Sequence, residues 1–323
     1  MEISSRKNCQ LNHEGSLDKI EVDAMIELFS RSAEKHGVMD TNYMGDGDSK
    51  TYTGIIKAQP YGDEIEIVKK ECVGHVQKRM GTRLRQYKKN NPGIGGKNKL
   101  TAKLIDKLSI YYGLAIRRNC NSKDEMKKAI WAAFYHYSST DSNPQHHFCP
   151  NGPESWCKWQ QAKVKKQLKN FCHDYAALPP RVLDAIKPIY EDLSNDKLLE
   201  RCAGGYTQNC NESFNQLIWK IALKPMNSGS KIVNFAVFLA ACTFNNGVTS
   251  LLEIMNVLGI SVGLGAHLYA AQEDETRIAK AELQAQLQTK EGRIRRRQQN
   301  LKALTIALTV DDLHYGPGIN DSM

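Results

Sequence analysis

From Lys99 to Leu199 every clear pattern in the chain is helical, and six prolines, Pro144, Pro150, Pro153, Pro179, Pro180 and Pro188, cut that stretch into segments. A proline ring removes one N–H and clashes with the carbonyl four residues back, so this stretch folds as several packed helices joined by proline-led turns. The flanks add more helix. Asp18 to His36 places Val22, Met25, Ile26 and Phe29 at i, i+3, i+4 and i+7, with Gly37 as a stop. Gly74 to Lys89 reads as a basic amphipathic helix, Asn211 to Leu223 as a helix, Lys231 to Leu258 as longer apolar helical material and Ala270 to Leu304 as a charged helix. Extended structure is confined to Val38 to Met44 and to a strand at Ile65-Glu66-Ile67-Val68, while Asn90 to Gly96 reads as a loop. The expected class is α+β, predominantly helical.

Charge is the next constraint. The net charge of +9 is concentrated: Lys69 to Lys128 holds 17 Lys/Arg against four acids, Glu71, Asp106, Asp124 and Glu125. Such a stretch suits a polyanion, because each neutralised phosphate releases a condensed counterion, and it equally suits a solvated helical face. At 41% hydrophobic and 24% charged the chain has a globular composition, and no apolar run approaches the roughly 20 residues of a membrane span. The nine cysteines are odd in number and scattered, so the expectation is a reducing compartment, no disulfide framework and no membrane partner.

Two acidic elements could hold a hard cation. Asp46 and Asp48 are bracketed by glycine just after an extended piece, where carboxylates serve Mg2+ and where Asp and Gly also make ordinary turns. Glu212 follows Thr207 to Asn211 in the first turn of a helix, a position the helix dipole favours for any acid.

Several strings carry a resemblance. Asn12 to Ser16, Gly45 to Lys50 (Gly-Asp-Gly-Asp-Ser-Lys), Lys70 to Gly81, Ser155 to Trp159 and Thr207 to Asn215 look like one lineage of Mutator-like DNA transposases, in that family's order. The resemblance implies a partial RNase H-like core with a large all-helical insertion and a helical C-terminal region. Its implied domains are 1–89, a core carrying the second acid and a C-x2-H element; 90–205, the insertion; 206–269, a return to the core with the third acid; and 270–323, a charged helix and tail. It also implies catalytic Asp46, with Asp48 as the less favoured choice, and Glu212, binding Mg2+ or Mn2+. The chemistry would be in-line attack at a phosphodiester between two metals. The first acid of the family's triad has no counterpart before Asp46, because Asp18 and Asp23 fall on the first helix. The implied function is therefore a transposase-derived DNA-binding protein, nuclear and inactive as it stands.

The C-x2-H element is Cys72 and His75. Two ligands do not close a zinc site, and the proline-broken segment holding His147, Cys149 and Cys157 is suited to fold back and supply the rest of a structural Zn2+ centre. His146 reads as a surface neighbour, and Cys172-His173 as structural. Lys78, Arg79, Arg83, Arg85, Lys88 and Lys89 form the expected nucleic-acid face. The alternative is a helical interaction or oligomerisation module built on Ala270 to Leu304, pairing with itself or with full-length relatives.

Overall fold

The computed structural model describes residues 16–45, 49–223, 226 and 228–288 and the single positions 292, 295 and 299. Among these residues the protein is mostly helical, with twelve α-helices and a small two-stranded parallel sheet. It divides into two compact units, Met1–Cys210 and Asn211–Met323. Positions on both sides of the expected 89/90 boundary share the first.

The first unit opens with α1 (Leu17–His36), capped by the Ser16 hydroxyl and stopped at Gly37 in the left-handed region. Strand β1 (Asn42–Gly45), helix α2 (Ser49–Ala58) and strand β2 (Val68–Glu71) follow, and the strands pair in parallel with Tyr43 opposite Lys69 and Gly45 opposite Glu71. Phe29, Tyr43, Ile55 and Ile67 form a small core between α1, α2 and the strands. The second strand begins at Val68, three residues later than the hydrophobic run suggests. Ile67 is spent on that core, and pairing starts where the Val68 N–H reaches the Thr41 carbonyl at 2.8 Å.

The larger core of this unit is a helical bundle of α3 (Val73–Asn90), α4 (Ala102–Arg118), α5 (Lys123–Ser138), α7 (Pro180–Leu193) and α8 (Asp196–Cys202). Helix α3 buries Val73, Val76, Met80 and Leu84, a stripe at helical spacing, and turns its cations outward. Tyr112 of α4 donates its hydroxyl to the Leu193 carbonyl at 2.8 Å and ties α4 to the end of α7. Pro188, expected to break the chain, sits inside α7. That helix survives because Val182, Ile186, Tyr190 and Leu193 anchor it in the bundle on both sides of the ring. Between α5 and α7 lie short α6 (Lys158–Val164) and a single 3-10 turn, Leu168–Asn170.

Helix α9 (Asn209–Ile221) leads into the second unit, which continues with α10 (Ser230–Asn246), α11 (Thr249–Val257) and α12 (Leu264–Gln288). The apolar stretch expected as continuous helix to Leu258 is divided at Gly247, whose φ of +85° and ψ of −171° suit glycine alone. A Cβ there would also fall 2.2 Å from Asp274 Oδ1. Asp274 of α12 accepts the N–H groups of Val248 and Thr249 at 2.7 and 3.1 Å and the Thr249 hydroxyl at 2.8 Å, capping α11 from another helix. Those backbone donors hold its carboxyl below the usual carboxylate range. A depressed folded-state value stabilises above the unfolded value, about 4, and that contribution fades as pH falls through the folded value. Asp274→Ala should therefore cost about 1 kcal/mol near neutral pH, typical of a lost cap. Faster hydrogen exchange at Val248 and Thr249 would register it, with the gap from wild type closing in acid.

Candidate metal centre and basic helix face

His136, His146, Cys149 and Cys157 bring their ligand atoms to within 4.8 Å of one another. Local structure does most of the placing. His136 occupies the last turn of α5, which ends where the Ser139 N–H meets the His136 carbonyl at 3.3 Å. Past Pro144 the chain makes a tight turn, with the Cys149 N–H on the His146 carbonyl at 3.1 Å, and this sets the two side chains of the H-x2-C step on one side. Cys157 is the N-cap residue of α6. Gln160, itself buried, donates its side-chain amide to the same His146 carbonyl at 2.8 Å, locking helix to turn.

The geometry fits a structural metal such as zinc. A zinc ion about 2.0–2.3 Å from each donor holds tetrahedral donors about 3.3–3.8 Å apart. Here the His146 Nδ1 atom lies 3.5 Å from Cys157 Sγ and 3.7 Å from Cys149 Sγ, and His136 Nδ1 lies 3.9 Å from Cys149 Sγ. His146, Cys149 and Cys157 are 2%, 3% and 0% exposed, with His136 half-buried at the edge. The Cys157 thiol is pulled below its usual range by the hydrogen bond from Cys149 and further by the two imidazoles, against the effect of burial. Two cysteine sulfurs and two imidazoles make a donor set that suits a soft or borderline cation.

This set shares Cys149 and Cys157 with the sequence expectation and differs in the other two. Cys72 and His75 stand elsewhere. Cys72 is buried at the N-cap of α3, within electrostatic reach of Cys202 and Arg117, and half-buried His75 lies in the first turn of that helix. The apolar stripe of α3 fixes both beside β2 and α8, whereas the group that meets hangs from the end of α5. His147 is exposed, its ring against Tyr135 and Phe148. His146, read from the sequence as a surface residue, is the histidine buried beside the two sulfurs.

Asp46 and Asp48 lie outside the described residues. Glu212 is exposed in the first turn of α9. Within the first unit the Gln208 side chain donates to the Met44 carbonyl at 3.0 Å.

The basic face is more mixed than the sequence suggests. Arg79 is committed to Glu71, which is 2% exposed, at 2.8 Å. Arg83 pairs with Asp192 and Arg85 with Asp106. Lys127 meets Asp196 at 2.8 Å, and Lys123 meets Glu200 at 2.7 Å. Acids distant in sequence thus neutralise part of the local excess. Lys78, Arg85 and Lys89 remain exposed along one face of α3, and Lys88 is half-buried.

The model of the Mutator-like transposase family matches residues 2–157. Over that stretch, a little under half of the chain, it is similar to the Mutator-like transposases. The match takes in all four residues of the metal group and ends on Cys157, and it includes Asp46, Asp48, Cys72 and His75, while Glu212 lies beyond it. No curated protein and no solved structure matches the chain. No described helix is long and apolar enough to cross a membrane.

Expressed with zinc, the protein should hold one zinc per chain, measured by elemental analysis, and Cys157→Ser should lose it. Stripping the metal should lower the melting temperature of the wild type, since a ligand at a thousand times its Kd contributes about 4 kcal/mol. Acidification should release the ion as imidazoles and thiolates take up protons. A metal-free protein whose melting ignores chelators would contradict the assignment.

Proposed function

We propose that this chain is a transposase-derived DNA-binding protein related to metal-dependent DNA strand-transfer enzymes, with a structural zinc in its helical region. The family match over residues 2–157 carries the reading. The exposed cations of α3 give it a phosphate-binding surface: Lys78, Arg85 and Lys89 repeat at i, i+7 and i+11 on the side opposite the buried stripe. Arg79 stands apart from that surface, because its charge is spent on buried Glu71.

For the chemistry, the resemblance supplies Asp46, with Asp48 behind it, and Glu212 as holders of Mg2+ or Mn2+ on an RNase H-like core. Two observations support this. The order α1, β1, α2, β2 with parallel pairing suits such a core, and β1 ends immediately before Asp46. When bound, the ions would polarise a phosphodiester and stabilise the attacking and leaving oxygens. The resemblance supplies Asp46 and Glu212 as two of the family's three acids, so the reading for this chain is binding without cutting, in the nucleus.

A second reading, a helical interaction module, draws on the second unit, where Phe238, Leu264, Leu268 and Tyr269 are each more than 60% exposed.

Duplex DNA should bind with steep salt dependence and no marked sequence preference, and neither Mg2+ nor Mn2+ should produce nicks. Changing Lys78, Arg85 and Lys89 to Gln should flatten the plot of log affinity against log salt by up to about 0.9 per lost phosphate contact. Arg79 is left intact because removing one partner of a buried ion pair costs about 3–5 kcal/mol and would confuse unfolding with lost binding. Nicking that requires Asp46 or Glu212 would overturn the inactive reading. No binding at low salt would leave the interaction module in front.

A further inference from the structure

His146 faces the sulfurs with Nδ1 and turns its other nitrogen to a second histidine. His146 Nε2 lies 2.9 Å from His173 Nε2, and His173 Nδ1 lies 2.5 Å from Asp141 Oδ1, which also accepts the His173 N–H at 2.9 Å. The two rings are 19° from parallel with centroids 5.2 Å apart. That separation equals the 2.9 Å bond plus a ring radius on each side, so the imidazoles meet edge to edge in nearly one plane, as an N–H···N bond requires. The His173 side chain is 5% exposed, although Asp141 is 57% exposed.

We infer that Asp141 and His173 form a positioning relay for the metal centre, fixing which nitrogen of His146 is free to bind the ion. The inference rests on the metal reading above. Proton placement follows from the acceptor at the outer end. Asp141 is a carboxylate, held below its usual range chiefly by the His173 side chain, and can only accept, so the proton of neutral His173 sits on Nδ1. His173 Nε2 is then a bare acceptor aimed at His146. That acceptor, with Ser139 Oγ also at 2.9 Å, draws the His146 proton to Nε2 and leaves Nδ1 with its lone pair toward Cys149 and Cys157. Ser139 Oγ already accepts the Gln145 N–H at 2.8 Å, which fixes its place in the turn.

Without the relay His146 is free to carry its proton on Nδ1, the tautomer that cannot bind a cation. The relay fixes the ring and its tautomer, as outer partners of metal-bound histidines generally do. The adjacent cysteine in Cys172-His173 has no part in this: Cys172 is exposed and His173 turns inward alone.

The test is zinc affinity by chelator competition on the full chain, together with the visible spectrum of the Co2+-substituted protein. His173→Phe, which keeps a ring and removes the acceptor, should weaken zinc binding about 10–100-fold and shift the Co2+ bands. Asp141→Ala, at an exposed position that leaves the packing alone, should move both readouts in the same direction by less. His173→Gln, whose amide oxygen can accept from His146, should recover part of the loss. Wild-type protein that holds one zinc, with both His173→Phe and Asp141→Ala at unchanged affinity and spectrum, overturns the relay alone. Wild-type protein that binds neither ion overturns the relay and the metal reading together.

Discussion

The buried carboxylate of Glu71 joins the two halves of the first unit. It closes β2, takes Arg79 of α3 at 2.8 Å and faces Arg201 of α8 at 3.7 Å, so one anion gathers a strand and two bundle helices. A charge this far from water must be paired, and a carboxylate with two guanidinium groups around it has partners on both oxygens. The Val73 N–H on the Tyr206 carbonyl at 3.0 Å makes the same joint in backbone. The direction of α3 follows from this joint, and so does the side on which its exposed cations face solvent. The small core under the strands and the larger core of the bundle lie on either side of that junction.

Helical content was legible because periodicity is a local property. The stripes of α1 and α3 and the stop at Gly37 appear in the sequence almost where the structure has them. What escaped was decided by packing at a distance. Ile67 reads as strand and is taken by a core residue's role; Pro188 reads as a break and is carried within α7 by its anchored neighbours; Gly247 divides an apolar run because Asp274, from another helix, occupies the space a side chain would need. None of these is written in the few residues around the position concerned.

The metal group was half legible for a similar reason. Cys149 and Cys157 stand out in a proline-broken segment, but choosing between His146 and His147 needs the turn that buries one and exposes the other. His136 is hidden at the end of a regular helix, where a histidine reads as a favourable charge near the C-terminal dipole. The usable signal was the H-x2-C step followed by a cysteine opening a short helix. Cys72-x2-His75 has comparable spacing and lies at a different joint, which shows how little a two-residue motif constrains three dimensions. The charge excess misled in the same way, since Asp192, Asp196 and Glu200 return to neutralise cations more than sixty residues away in sequence.

A single helix thus serves two ends. Its inner stripe and Arg79 hold the fold together, and its outer stripe presents Lys78 and Lys89 to solvent beside the Arg85–Asp106 pair, the surface on which the proposed DNA binding rests. The most direct check is a lysine-reactivity footprint read by mass spectrometry with and without duplex DNA at low salt. Lys78 and Lys89 should lose reactivity on binding, while Lys158 and Lys187, on other helices and paired with acids, should keep theirs. Protection of Lys158 and Lys187 with Lys78 and Lys89 unchanged would contradict the account.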